Sequence, residues 1–128
     1  MKAKTVKITS NNIISVLELA SWSIDDQNKA IGADCSESVR TMRMQNFFQD
    51  SIVMIVDESG HSKNRMMNEV ASWLYGADQH GDMIVGDIIF AVYRGNDFLP
   101  PENPELLKFF LMSKFPCLKE AEVSINEQ

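Results

Sequence analysis

The chain has 128 residues, 45% of them hydrophobic, which fits one domain around one core and argues against a disordered chain. Its formal charge of −6, from 18 acidic against 12 basic side chains, argues against a binder of long nucleic acid, which needs a basic face. A small anion stays within reach, because a few local arginines can hold one phosphate group.

The first elements read as a hairpin. Val6–Thr9 and Ile13–Leu19 have strand character, and Ser10-Asn11-Asn12 joins them with residues that tolerate the left-handed conformation of tight turns. Ser23 then caps a short helix carrying Asp25 and Asp26 in its first turn, and Gly32 ends it. Val39–Met44 reads as a half-exposed strand, with Arg40 and Arg43 on opposite faces. Ser51–Val56 is continuously apolar and calls for cover on both sides. Asp57-Glu58-Ser59-Gly60 turns the chain.

A helix follows, with Asn64 as its N-cap and Gly76 as its C-cap. Met66, Met67, Val70, Ala71 and Leu74 would face the core, and Arg65, Asn68, Glu69 and Ser72 the solvent. Met83–Tyr93 reads as the longest strand. Its alternation puts Ile84, Gly86, Ile88, Phe90, Val92 and Arg94 on one face, and Met83, Val85, Asp87, Ile89, Ala91 and Tyr93 on the other. Asp97–Pro101 reads as a loop. Asn103-Pro104-Glu105 is a strong helix start: a cap, proline at the first helical position and an acid in the first turn.

That last helix has no clean polar face, because Leu106, Leu107, Phe109, Phe110, Leu111, Met112 and Phe115 surround it. A small domain offers one core, so the remaining apolar surface calls for a partner, most simply a second copy related by a two-fold axis. The element order is ββαββαβα. It predicts an α+β domain over residues 1–118, with a mostly antiparallel sheet, helices packed on it and the apolar C-terminal helix at a subunit interface. Residues 119–128 read as a polar, frayed tail.

Catalytic patterns fail. The glycines are isolated, so no phosphate loop forms, and no Gly-x-Ser-x-Gly elbow exists. His61 and His80 sit in turn-like segments without a second ligand at metal spacing, and Asp57-Glu58 reads as a solvated pair. Cys35 and Cys117 lie far apart and read as free thiols of a reducing compartment. No secretory h-region and no run of roughly 20 apolar residues is present, so a cytoplasmic protein without a membrane span is expected. The expectation is a binding protein, not an enzyme, with neither cofactor nor metal.

The long strand offers the sharpest binding feature. Gly86 leaves room beside Ile88 for a flat group, Phe90 could stack on it, and Arg94 would stand at the rim. Arg65 and Asn68 start the preceding helix, where free backbone N–H groups favour anions. The competing reading makes Phe90 core, Gly86 a close contact and Arg65 a solvated side chain.

Three segments carry a resemblance. The Glu58-Ser59-Gly60 turn, the Asn68–Tyr75 helix and the Ile84–Phe90 strand resemble a small domain of unknown function common in phages and mobile elements. Over residues 4–98 the chain also looks like the Thoeris anti-defence sponge proteins of phages. Those bind cyclic ADP-ribose isomers, some also cyclic oligonucleotides, without cleaving them, and they assemble from dimers. The resemblance implies that Phe90 is the stacking aromatic, Arg65 the arginine of the preceding helix and Asn96 (or Asn103) the loop asparagine. Together with Asn68 and Arg94 from the strand and helix geometry, the expected ligand site is Arg65, Asn68, Phe90, Arg94 and Asn96. The implied partners are a small cyclic nucleotide and further copies of the chain, in the cytoplasm of a bacterial host. Two alternatives stand beside it: an acidic inhibitor that docks on a host restriction or CRISPR complex, and a structural or regulatory module without a small ligand. The last predicts a fully buried Phe90 and distant Arg65 and Arg94.

Overall fold

The computed structural model describes residues 2–121. The chain starts with the expected hairpin, β1 (Ala3–Ile8) and β2 (Ile13–Leu19), in register from Ala3↔Leu19 to Ile8↔Ile14. Helix α1 (Ile24–Ile31) begins where Ser23 accepts a hydrogen bond from the Asp26 N–H and ends at Gly32, which is left-handed at φ +68°. Strand β3 (Ser36–Val39) pairs with β4 (Ile52–Asp57), and all six residues of β4 are buried.

Between them lies a helix, α2 (Met42–Phe48), where the sequence pattern pointed to a continuing strand. The cause is Thr41. Its side chain accepts from the Met44 N–H, while its hydroxyl donates to the Leu74 carbonyl at 2.9 Å, tying the helix start to a segment 33 residues further on.

After a 3₁₀ turn at His61–Lys63 come α3 (Glu69–Tyr75) and the one-turn α4 (Ala77–His80). The N-cap of α3 is Asn68. Asn64, expected in that role, ends the 3₁₀ turn in a left-handed conformation. Met66 and Met67 therefore precede the helix and are exposed, whereas Asn68 and Ser72, expected outside, are buried. Strand β5 (Ile88–Arg94) starts only after Gly86, whose φ of +85° breaks the longer strand that the apolar run implied. A tight Gly95-Asn96 turn leads into β6 (Asp97–Leu99), then α5 (Pro104–Lys114), capped by Asn103, and β7 (Lys119–Glu120). Of the expected frayed tail, residues 119–121 instead pair with the sheet. Lys119 and Ala121 donate to Asn12 and Ile14 on the β2 edge, and residues 122–128 lie outside the described part.

The sheet order is β3-β4-β5-β1-β2-β7, with β6 hairpinned onto β5; every pairing is antiparallel except β2 with β7. This is the expected α+β class. Strands β1 and β5 pair at only two positions, and the Thr5 hydroxyl takes over as donor to the Phe90 carbonyl. One sheet face carries Ile8, Met54, Val56, Phe90 and Val92 under Met44 of α2, Val70 and Leu74 of α3, and Leu107 and Leu111 of α5. The other face carries Val53, Ile55, Ile89 and Ala91 under Ile31 of α1. Within β5, the alternation read from the sequence sorts Ile88, Phe90 and Val92 from Ile89 and Ala91 correctly.

Candidate functional site

The five residues expected to hold a ligand fall into three separate places. Arg65 and Asn68 flank Gly86, just before β5. Arg65 Nε stands 3.0 Å from Asp57 Oδ2 as an ion pair rather than an aligned hydrogen bond, and one of its terminal nitrogens donates to the Gly32 carbonyl at the end of α1. Lys63 reaches the same Asp57 oxygen at 3.3 Å and Asp34 at 3.4 Å. Burial pushes the Asp57 carboxyl up, but the Ser59 amide, Lys63 and Arg65 outweigh it and hold the group below the ordinary carboxylate range. The charge of Arg65 thus joins α1 to the sheet.

Asn68 has no exposed surface. Its Oδ1 accepts from the Ala71 N–H at 3.1 Å, and its Nδ2 donates to the carbonyls of Ile8 at 3.1 Å and Gly86 at 2.9 Å. All three bonds lie within the fold. It is a structural clasp between α3, β1 and the approach to β5.

Phe90 is also 0% exposed, in the main core, with the Phe48 ring edge-on at 6.0 Å. Neither of its faces is open to a ligand in the single chain. Arg94 lies at the far end of β5, six residues beyond Ile88, or roughly 20 Å along the strand. Its guanidinium grips both Asp50 oxygens, at 2.9 and 3.0 Å, and reaches Glu102 at 3.4 Å. Asn96 is exposed in the β5–β6 turn. Arg65 and Arg94 therefore belong to separate ion pairs at opposite ends of the strand.

Two other surfaces have more to offer. The first is a groove of about 540 Å³ between α5 and the edge formed by α2, β4 and β5. Phe48, Ile52, Val92, Leu107 and Phe110 form its walls, and Asp50, Glu102 and Asn103 stand at its mouth. Along it, Leu106 is 62% and Phe109 70% exposed. Two large apolar side chains thus stand together on one helix, well out of the core. The core side of α5 is carried by buried Leu107 and Leu111, with Met112 half-buried beside them. The sequence signalled this surface through the helix that lacked a polar face, but its walls also need Phe48 of α2, Ile52 of β4 and Val92 of β5, which only the fold brings to α5.

The second lies on the α1 side of the sheet. Arg40 holds its guanidinium 4.2 Å from the Tyr93 ring centre, Phe98 tilts against Tyr93 at 5.2 Å, and the Trp22 indole N–H donates to the Phe98 carbonyl at 3.0 Å. Arg43, Arg65 and Arg94 each have a carboxylate partner; among the described residues Arg40 has none. Asn96 turns the chain next to this aromatic pair. Nothing in the sequence brings Trp22, Arg40 and Phe98 together, because only the folded sheet does.

A smaller cleft of about 260 Å³ has Glu37, Glu58 and Asp82 around a floor of Val39, Val56 and Val85, with His61 and Tyr75 at its side. His61 Nε2 lies 2.8 Å from the Met83 carbonyl and His80 Nε2 3.1 Å from that of Tyr75, both within exposed turns. Among the described residues no three His, Cys, Asp or Glu side chains converge as metal donors, and no helix is long and apolar enough to cross a membrane. No protein-family model, curated protein or solved structure matches this chain.

Proposed function

We propose that this protein is a non-catalytic interaction module that works through the α5 groove. The observation that carries this reading is the outward pair Leu106 and Phe109 beside an apolar trough of about 540 Å³. Two further observations favour it over the stacking site expected at β5. Phe90 is part of the core, and Arg65 and Arg94 stand apart with their charges neutralised. The groove mouth is also a poor anion site, because Asp50 and Glu102 outnumber Arg94 there.

The test places a photo-reactive benzoylphenylalanine at position 109 in the producing cell, with a control at exposed Lys4. A protein adduct specific to position 109 is expected. An absence of adducts, or equal labelling at both positions, overturns the reading.

A second reading keeps the retention of a cyclic nucleotide, moved to the opposite sheet face. It is favoured by Arg40, which has no carboxylate partner among the described residues and is stacked on Tyr93 beside Phe98 and Asn96. A base could lie on the Phe98 edge while a phosphate meets Arg40. Mixing the protein with the product of a TIR-domain enzyme, then denaturing it, should release intact nucleotide by mass spectrometry, and Arg40→Ala should abolish the depletion. Equal depletion by the variant, or none by either protein, rejects this site.

A further inference from the structure

We propose that the occupant of the α5 groove is a second copy of this chain, its α5 crossing the first antiparallel about a two-fold axis between Phe109 and Phe110. The proposal rests on the reading of that groove as a protein-binding surface and adds the partner and its register.

Leu106, Phe109, Phe110 and Ser113 all line the groove. Their spacing of i, i+3, i+4 and i+7 makes one stripe along α5, turned away from the buried Leu107 and Leu111. The stripe is symmetric about its own midpoint. A two-fold axis there sets Leu106 against the partner's Ser113 and Phe109 against the partner's Phe110. Leu106 stands out at 62% exposure, whereas Ser113 is small and its hydroxyl is already turned back to the Phe110 carbonyl. A large side chain therefore meets a small one, twice, which is what closed two-fold packing needs.

Charge selects the same orientation. Exposed Glu102 and Glu105 stand before and in the first turn of α5, and Lys114 in its last. Lys114 has no carboxylate partner among the described residues; it lies 5.6 Å over the Phe110 ring. Crossing two such helices antiparallel brings the acidic end of each to the level of the basic end of the other, and opposes their dipoles. A parallel crossing would set acid against acid.

A stable interface takes about a tenth of a small protein's surface from each partner. Here the whole surface is 7621 Å², which asks for about 760 Å² a side, and half-buried Phe48 of α2 continues the α5 stripe on one flank.

Sedimentation equilibrium of the full chain tests this. The expected mass is twice 14.5 kDa, falling towards one chain on dilution. Leu106→Ser and Ser113→Leu should each weaken dimerisation by about tenfold or more, while circular dichroism stays unchanged because both positions are exposed. Combined in one chain they exchange knob and hole, so the double variant should dimerise better than either single one. A mass of one chain at every concentration overturns the proposal. So does a double variant as weak as the sum of its parts, which removes the register. If the mass is that of one chain but the position-109 adduct is another protein, the groove reading stands and the second copy falls. If no adduct forms, both fall.

Discussion

Arg65 lies so closely across Gly86 that a Cβ on the glycine would stand 2.9 Å from the arginine Cδ. The same glycine has φ +85°, which an L side chain adopts at a cost of about 1–2 kcal/mol. Gly86→Ala therefore combines backbone strain with displacement of Arg65 from Asp57 and Gly32. We expect a stability loss of about 2–3 kcal/mol in urea unfolding. Arg65→Ala removes the obstacle, so the double variant should lose less than the sum of the two single losses.

Asn68 satisfies three backbone groups from one buried amide. Asn68→Ala removes the α3 cap and leaves the Ile8 and Gly86 carbonyls without this donor. The expected cost is about 2–4 kcal/mol, from a lost cap plus buried groups left unpaired. Asn68→Asp keeps an oxygen for the Ala71 N–H but turns a second one towards two carbonyls. It should destabilise at least as much, and a denaturation midpoint for each variant decides.

These two residues show what could be read from the chain and what could not. Period-two alternation through Ile88–Tyr93 assigned both sheet faces, because each face is covered and only one register buries the apolar set. The caps at Ser23 and Asn103 were legible because each precedes a helix directly. Asn68 was misread as solvent-facing because the 3₁₀ turn delays the helix start by four residues, and Asn64 offered an equally good local cap. Phe90 had two readings, stacking ring or core. Burial decides between them, and burial depends on Phe48 from a helix that the Val39–Met44 pattern concealed. The α5 surface was legible as a surplus of apolar side chains, but its groove needs α2, β4 and β5 assembled.

Acid should unfold the protein through two carboxylates. The paired guanidinium of Arg94 holds Asp50 below the ordinary carboxylate range, against a smaller upward push from burial. Asp57 is held low as well, by groups that outweigh its larger desolvation. A carboxyl whose folded pKa lies below its unfolded value of about 3.9 stabilises the fold above that pH and loses this as pH falls through the folded value. Stability should therefore be level from pH 7 to 5 and drop below about pH 4. Asp57→Asn should flatten that acid limb. At pH 7 it should cost about 1–2 kcal/mol, the smaller figure because Arg65 and Lys63 are each about a third exposed. A urea midpoint that falls equally in both proteins between pH 5 and pH 3 would remove Asp57 as the cause.

Phe90 separates the core reading from the ligand reading most sharply. A ring used for stacking needs an open face, and its loss should spare the fold while abolishing binding. A ring at 0% exposure against Phe48 does the opposite. Phe90→Ala should cost about 3–5 kcal/mol, since it removes a buried aromatic and leaves a cavity that the sheet cannot close. Phe90→Leu keeps most of the volume and should cost roughly 1–2 kcal/mol. The Leu variant, still folded, should keep the dimeric mass of the native chain, because Phe90 lies beneath the groove walls and not among them. Were that variant as stable as the native protein, the ring would hold no part of the core, and a site beside it on β5 would have to be considered again.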